Sequence, residues 1–172
     1  MVHKLGSKVF YDGKFNDIPN TIARAVKAIS DLGVSMFDMH ASSGPEAVKA
    51  AVQNKGGSKV LGVTVLTSMG RVGDKVLKFA KMLKTEGVDG IVCSPWEVKL
   101  IRQYKKLDRF LIITPGIRPK WASVGDQKRF MTPSEAIKAG ADYLVIGRPI
   151  TNPPTSVGTP LGAIKLIYKE LK

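Results

Sequence analysis

A chain of 172 residues, 44% of them hydrophobic, can bury one sizeable core, and a single domain over residues 1–172 is expected. No apolar run approaches the ~18 residues of a membrane span, no apolar signal core opens the sequence, and the lone cysteine, Cys93, excludes an internal disulfide, so the expected location is cytoplasmic. The formal charge of +13 comes from lysines spread along the chain, Lys27, Lys49, Lys78 and Lys99 among them, with no basic block of interleaved aromatics; it reads as a solvated basic surface or a lure for an anionic small molecule, with neither nucleic acid nor membrane as partner.

The first apolar run, Val9-Phe10-Tyr11, breaks into Asp12-Gly13-Lys14-Phe15-Asn16-Asp17 before Pro19-Asn20-Thr21 starts a helix. Side chains alternate along a strand, so Asp12 and Lys14 point the same way, roughly 7 Å apart. Carboxylate, ammonium and carboxylate gathered at one strand end mark a candidate site, with an ordinary ion pair as the alternative. A helix is expected over 20–32, where Ile22, Ala25, Val26, Ile29 and Leu32 form an apolar stripe at helical spacing. A strand over 36–39 leads to His40, read as a structural residue at a strand end, and a helix over 45–54 follows.

Strand 60–66 runs into Thr67 and Ser68, and a helix covers 74–85. Strand 91–93 ends on Cys93, read as a buried strand residue, ahead of a helix over 96–106. Strand 110–113 meets Thr114-Pro115-Gly116. The polar stretch from there to Thr132 is too long for a mere connector and reads as a lid. A helix over 133–139, a strand over 143–146 ending in Gly147-Arg148, and a helix over 161–171 complete the chain. Glycine beside an anion lets backbone N–H groups approach it, and arginine can grip it bidentately, so Gly147-Arg148 is a candidate phosphate site; a surface salt bridge is the plainer reading of Arg148.

Glycines 6, 33, 87 and 140 each stop a helical pattern shortly before a strand, spaced by one, two and two units of about 27 residues. Alternating strands and helices give a parallel sheet with right-handed crossovers, and polar residues collect after the strands. This favours a (β/α) barrel over a smaller open α/β sheet. The repeat requires a helix before Gly6 and yields six strands where a barrel has eight, so an N-terminally truncated barrel of about six βα units is expected.

The stretch Asp12-Gly13-Lys14-Phe15-Asn16-Asp17-Ile18-Pro19-Asn20-Thr21 resembles the Asp-x-Lys-x-x-Asp-Ile-Pro-Asn-Thr signature of the orotidine 5′-phosphate decarboxylase family. The resemblance continues through Val63-Thr64-Val65-Leu66-Thr67-Ser68-Met69, Thr114-Pro115-Gly116-Ile117-Arg118-Pro119, Asp126-Gln127 and the segment from Gly140 to Ile150. It implies a (β/α)8 TIM barrel of the ribulose-phosphate-binding type, working as a homodimer without cofactor or metal, that converts orotidine 5′-monophosphate to UMP. Asp12 would lie against the substrate carboxylate and Lys14 would protonate C6. Asp17 would cross into the partner's site, with Ile18 and Thr21 beside it. Thr67, Ser68 and Pro115 would contact the pyrimidine, and Gln127, Gly147 and Arg148 would hold the phosphate. The family also takes an aspartate and a lysine from two earlier strands, which the chain is expected to lack. Two alternatives stand beside this reading: a related Mg²⁺-dependent decarboxylase or aldolase-like enzyme of sugar-acid phosphates, and a non-catalytic nucleotide-binding barrel remnant.

Overall fold

The structure, a computed structural model, describes residues 5–65, 73–122 and 130–172. Among the described residues, strands and helices alternate as β1 (Phe10–Phe15), α1 (Pro19–Asp31), β2 (Met36–His40), α2 (Pro45–Asn54), β3 (Lys59–Val63), α3 (Gly73–Thr85), β4 (Gly90–Val92), α4 (Val98–Arg102), β5 (Leu111–Thr114), α5 (Pro133–Ala139), β6 (Tyr143–Leu144), α6 (Arg148–Thr151) and α7 (Pro160–Leu171). The chain packs as two compact units, residues 1–64 with 74–92 and residues 65–73 with 93–172.

In the first unit, β1, β2, β3 and β4 pair in chain order and all run parallel. Met36 lies opposite Lys59 and His40 opposite Val63, an unbroken register that carries β2 and β3 to the same level. A helix between each pair of strands is what a parallel connection needs. Proline opens α1 and α2, where its missing N–H has no helical partner to lose. The expected stripe of α1 is buried at Ile22, Val26 and Ile29, beside Ala47, Val48 and Ala51 of α2, whereas Leu32 is exposed because the helix has ended at Asp31. Phe37 and Met39 of β2 and Leu61 of β3 complete this core.

In the second unit, β5 and β6 pair in parallel through Ile113 opposite Tyr143 and Thr114 opposite Leu144. The core is built from Ile101, Phe110, Ile112, Ala136 and Ile167, all buried. Helix α5 carries a capping box: the Thr132 side chain accepts from the Glu135 amide, and the Glu135 carboxylate accepts from the Thr132 amide. It stops at Gly140, whose φ of +108° is open to glycine, and the Arg102 side chain lies where a Cβ would stand.

Several boundaries differ from those expected. The helix expected over 96–106 divides into α4 and a 3-10 turn at Lys105–Leu107. Arg102 accounts for the break: its guanidinium donates to the carbonyls of Asp108, Phe110 and Gly140, drawing the chain round before another helical turn can form. Strands β3 and β6 are shorter than the apolar runs that announce them, and α6 is a single turn that apolar spacing does not reveal. Its carbonyl acceptor is Gly147, which takes the amides of Ile150 and Thr151.

Candidate active site

Strand β1 is irregular where its charges lie. Tyr11 pairs with Phe37, yet Phe15 pairs with Met39, so four residues of β1 advance while β2 advances two. The surplus forms a bulge at Asp12-Gly13-Lys14. Within it Lys14 has φ +44°, the one positive value at a non-glycine position among the described residues. The bulge folds β1 back so far that Tyr11 stacks on Phe15 at 5.8 Å between ring centroids, and Phe15 sits edge-on to Phe37 at 6.1 Å. Gly13 is required under this stack, because a Cβ there would collide with the Tyr11 ring.

A bulged residue loses its ladder partner, and its N–H must go elsewhere. The Lys14 amide donates to Asp38 Oδ1 at 2.7 Å. The Lys14 ammonium, meanwhile, pairs with Asp12 Oδ1, with side chains 45% and 59% exposed, whereas Asp38 is only 1% exposed. The expected convergence of Asp12 and Lys14 is therefore present, with a second carboxylate beneath it. Burial, followed by the hydrogen bond to Asp12, pushes the Asp38 carboxyl up to about 7. Partial burial also works to raise Asp12, but its hydrogen bonds with Asp38 and Lys14 and the Lys14 charge outweigh this and hold it below the ordinary 3.8.

Asp17, Ile18 and Thr21 follow on the loop and first turn of α1, all exposed. The Asp17 carboxylate accepts from the Ile18 amide at 2.7 Å, and Ile18 leaves 67% of its surface open. Asn16 is tied to the turn after β2 by the Ser43 hydroxyl at 2.8 Å. His40 ends β2 half-buried, and burial pushes the Cys93 thiol well above its ordinary range.

In the second unit, Arg118, Arg148, Asn152 and Thr155 line a cavity of about 310 Å³. Two guanidinium groups and two small polar side chains suit an anion of phosphate size. Gly147 precedes Arg148 at the start of α6, and Pro115 follows β5 half-buried. Thr67, Ser68 and Gln127 lie outside the described residues, as does part of the stretch read as a lid.

Two residues of the site escaped sequence reasoning. Arg118 is one member of the motif over 114–119 in the sequence, yet a charged residue in the otherwise apolar Pro115-Gly116-Ile117-Arg118-Pro119 is itself a signal; it is 5% exposed. Asp38 interrupts Met36-Phe37-Asp38-Met39 in the same way, one carboxylate inside an apolar strand.

Parallel strands alternating with helices, and a lysine set against carboxylates at the C-terminal end of one strand, define an α/β enzyme. The chain belongs to the orotidine 5′-phosphate decarboxylase / HUMPS family, whose sequence model matches residues 1–159. It is 45% identical over 189 residues to the orotidine 5′-phosphate decarboxylase of Geobacter sulfurreducens, an alignment covering 99% of this chain and 77% of that protein. With the enzyme of the same name from Actinobacillus pleuropneumoniae it shares 42% identity over 187 residues, covering 99% and 79%. The crystal structure of orotidine 5′-phosphate decarboxylase from Lactobacillus acidophilus superposes with a TM-score of 0.80 at 35% identity, covering 99% of this chain and 78% of that one.

Proposed function

We propose that this chain is a carboxy-lyase that converts orotidine 5′-monophosphate to UMP, a step of de novo pyrimidine biosynthesis, without a cofactor. The observation that carries the reading is the Lys14 ammonium held against Asp12 at the C-terminal end of β1, in a family whose curated relatives bear that activity as their name. Nothing in those relatives favours the sugar-acid-phosphate alternative.

The chemistry follows from the charges. Breaking the bond from C6 to the carboxylate leaves its electron pair on a ring carbon as CO₂ departs. Lys14 offers the nearest cation to that pair, an interaction stronger in the transition state than in the ground state, and its proton then passes to C6. Asp12 holds the Lys14 ammonium in place as its ion-pair partner and, placed against the substrate carboxylate, disfavours the bound ground state. Arg148, with Arg118, Gly147 and Gln127, binds the 5′-phosphate, so binding energy far from C6 is available at C6. Thr67, Ser68 and Pro115 contact the pyrimidine.

We further assign the chain to a single domain with the (β/α)8 barrel fold of the ribulose-phosphate-binding type, a reading supported by the TM-score of 0.80 over 99% of this chain in the Lactobacillus superposition. The exposure of Ile18 supports a homodimer in which Asp17, Ile18 and Thr21 reach the partner's site. No helix among the described residues is long and apolar enough to cross a membrane; the proposed location is cytoplasmic.

The test is consumption of orotidine 5′-monophosphate by the full chain in the presence of a chelator. Turnover with chelator and its collapse in Lys14→Ala are expected. Turnover that requires Mg²⁺, or that survives Lys14→Ala, would overturn the reading.

A further inference from the structure

Asp38 has no role in the reaction so far, yet it meets both charged residues of the bulge. Its Oδ1 accepts the Lys14 amide at 2.7 Å, and its carboxyl hydrogen-bonds that of Asp12. Two carboxylates cannot hydrogen-bond unless one carries a proton. Asp12 is more than half exposed and paired with the Lys14 ammonium, so it takes the charge; Asp38, almost wholly buried on β2, takes the proton. The charged and titratable groups facing Asp38 from β1 are Asp12 and Lys14. Across β3 it meets Leu61, and His40 follows two residues on along its own strand.

We propose that Asp38 is a positioning residue for the decarboxylation: it holds the left-handed Lys14 backbone through the amide and donates its own proton to Asp12. Lys14 is a β-substituted residue in a conformation that ordinarily favours glycine, and such a conformation persists only where its surroundings hold it. The Asp38 oxygen supplies that hold. The donated proton fixes the Asp12 carboxylate in the orientation from which it faces Lys14. This inference rests on Lys14 being the proton donor, but its structural half can be measured without turnover.

Asp38→Asn separates the two jobs of the side chain. Its amide oxygen can still accept from Lys14 and its NH₂ can donate to Asp12, so it mimics the protonated acid at every pH. Two readouts are followed across pH on the full chain: the backbone amide resonance of Lys14, and kcat with orotidine 5′-monophosphate. In the parent, both are expected to move with a midpoint near 7, kcat falling as Asp38 ionises and its hydrogen bond to Asp12 is lost. In Asp38→Asn, that midpoint disappears from both while kcat below it stays near the parent's. Asp38→Ala, which leaves the bulge unheld, should lower kcat by about 10²-fold with KM little changed, the loss expected of a misplaced catalytic group.

The inference is overturned if the Lys14 amide titrates in Asp38→Asn as it does in the parent, or if Asp38→Ala keeps the parent's kcat and pH profile. If Asp38→Ala does not fold, the near-isosteric Asp38→Asn decides alone. A parent that titrates at Lys14 but never consumes the substrate would overturn the functional reading and confine Asp38 to holding the bulge.

Discussion

Aspartates at the start of a strand and within one meet backbone amides in the same way but differ in the charged groups set beside them. Asp89, just before β4, accepts the Val60 amide at 2.9 Å and the Lys55 ammonium at 2.6 Å. Asp142, just before β6, accepts the Ile112 amide at 2.7 Å and the Arg102 guanidinium at 2.6 Å. Each follows a helix-ending glycine by two residues, and each has one amide and one cation, so its charge is met locally. Asp38, within β2, also accepts one amide, but the next group it meets is Asp12, and it is Asp12 that pairs with the Lys14 ammonium. The count of cations per carboxylate separates the aspartates that fasten strands from those that hold a reactive lysine. A site built to position Lys14 tolerates an imbalance that the strand starts do not.

The comparison is tested most severely at Lys14. Lys14→Ala should lower kcat by about 10⁴-fold, the upper range for loss of a positioned proton donor, while the urea midpoint stays close to the parent's because both side chains of the pair are largely solvated. A stability loss as large as the activity loss would erase the distinction between the two kinds of aspartate.

Arg102→Ala should do the reverse. It removes donors to the carbonyls of Asp108, Phe110 and Gly140 and leaves Asp142 without its cation. The expected cost is about 2–3 kcal/mol in urea unfolding, with kcat unchanged in the folded fraction. Lys55→Ala removes one ion pair of similar, partial exposure and should cost less, about 1 kcal/mol.

Asp38 adds a pH dependence to the contrast. Its folded pKa of about 7 lies above the ordinary 3.8, so between those values the folded chain binds the extra proton. Stability from this group is therefore full below 3.8 and declines as pH rises toward 7. Asp12, held below 3.8, acts oppositely: its contribution is present above that value and is lost as pH falls through its lowered pKa. Urea midpoints measured from pH 4 to 8 should fall less steeply in Asp38→Asn than in the parent, and equal slopes would contradict the assignment of the proton to Asp38.

Much of this contrast is legible in the sequence. The glycines that stop helices located the strands, apolar spacing located α1 and α2, and strand alternation brought Asp12 and Lys14 together. Alternation could not announce the bulge, because the departure from it is a mismatch with β2 that β1 does not encode alone. Without the bulge, nothing connects Asp38 to the Lys14 amide 24 residues earlier. The division of the expected 96–106 helix was hidden for the same reason: the acceptors that draw Arg102 away lie at Asp108, Phe110 and Gly140, beyond any local window. The arginine pair at the cavity was half visible, since Gly147-Arg148 follows the last apolar run, where barrels bind phosphate, whereas Arg118 needed its burial to stand out.

A further carboxylate sharpens the rule at the smallest scale. Glu135 lies in the capping box of α5, exposed, accepting the Thr132 amide at 2.8 Å and the Thr132 hydroxyl at 2.9 Å. Donors surround it, no second carboxylate among the described residues contributes to its shift, and the Thr132 backbone bond, then the hydroxyl, hold its pKa below the ordinary 4.5. Its contribution is thus present above that value and is lost as pH falls below it, the opposite of Asp38 although both accept a backbone amide. Thr132→Ala removes the hydroxyl and its acceptance of the Glu135 amide, and should destabilise the chain by about 1 kcal/mol near neutral pH. The Glu135 titration, followed by carboxyl carbon resonance, should move back toward its ordinary value in that variant while Asp38 still titrates near 7. A shift of both groups together would mean that a change at this cap reaches β2, and that neighbouring donors and carboxylates alone do not set each group's charge.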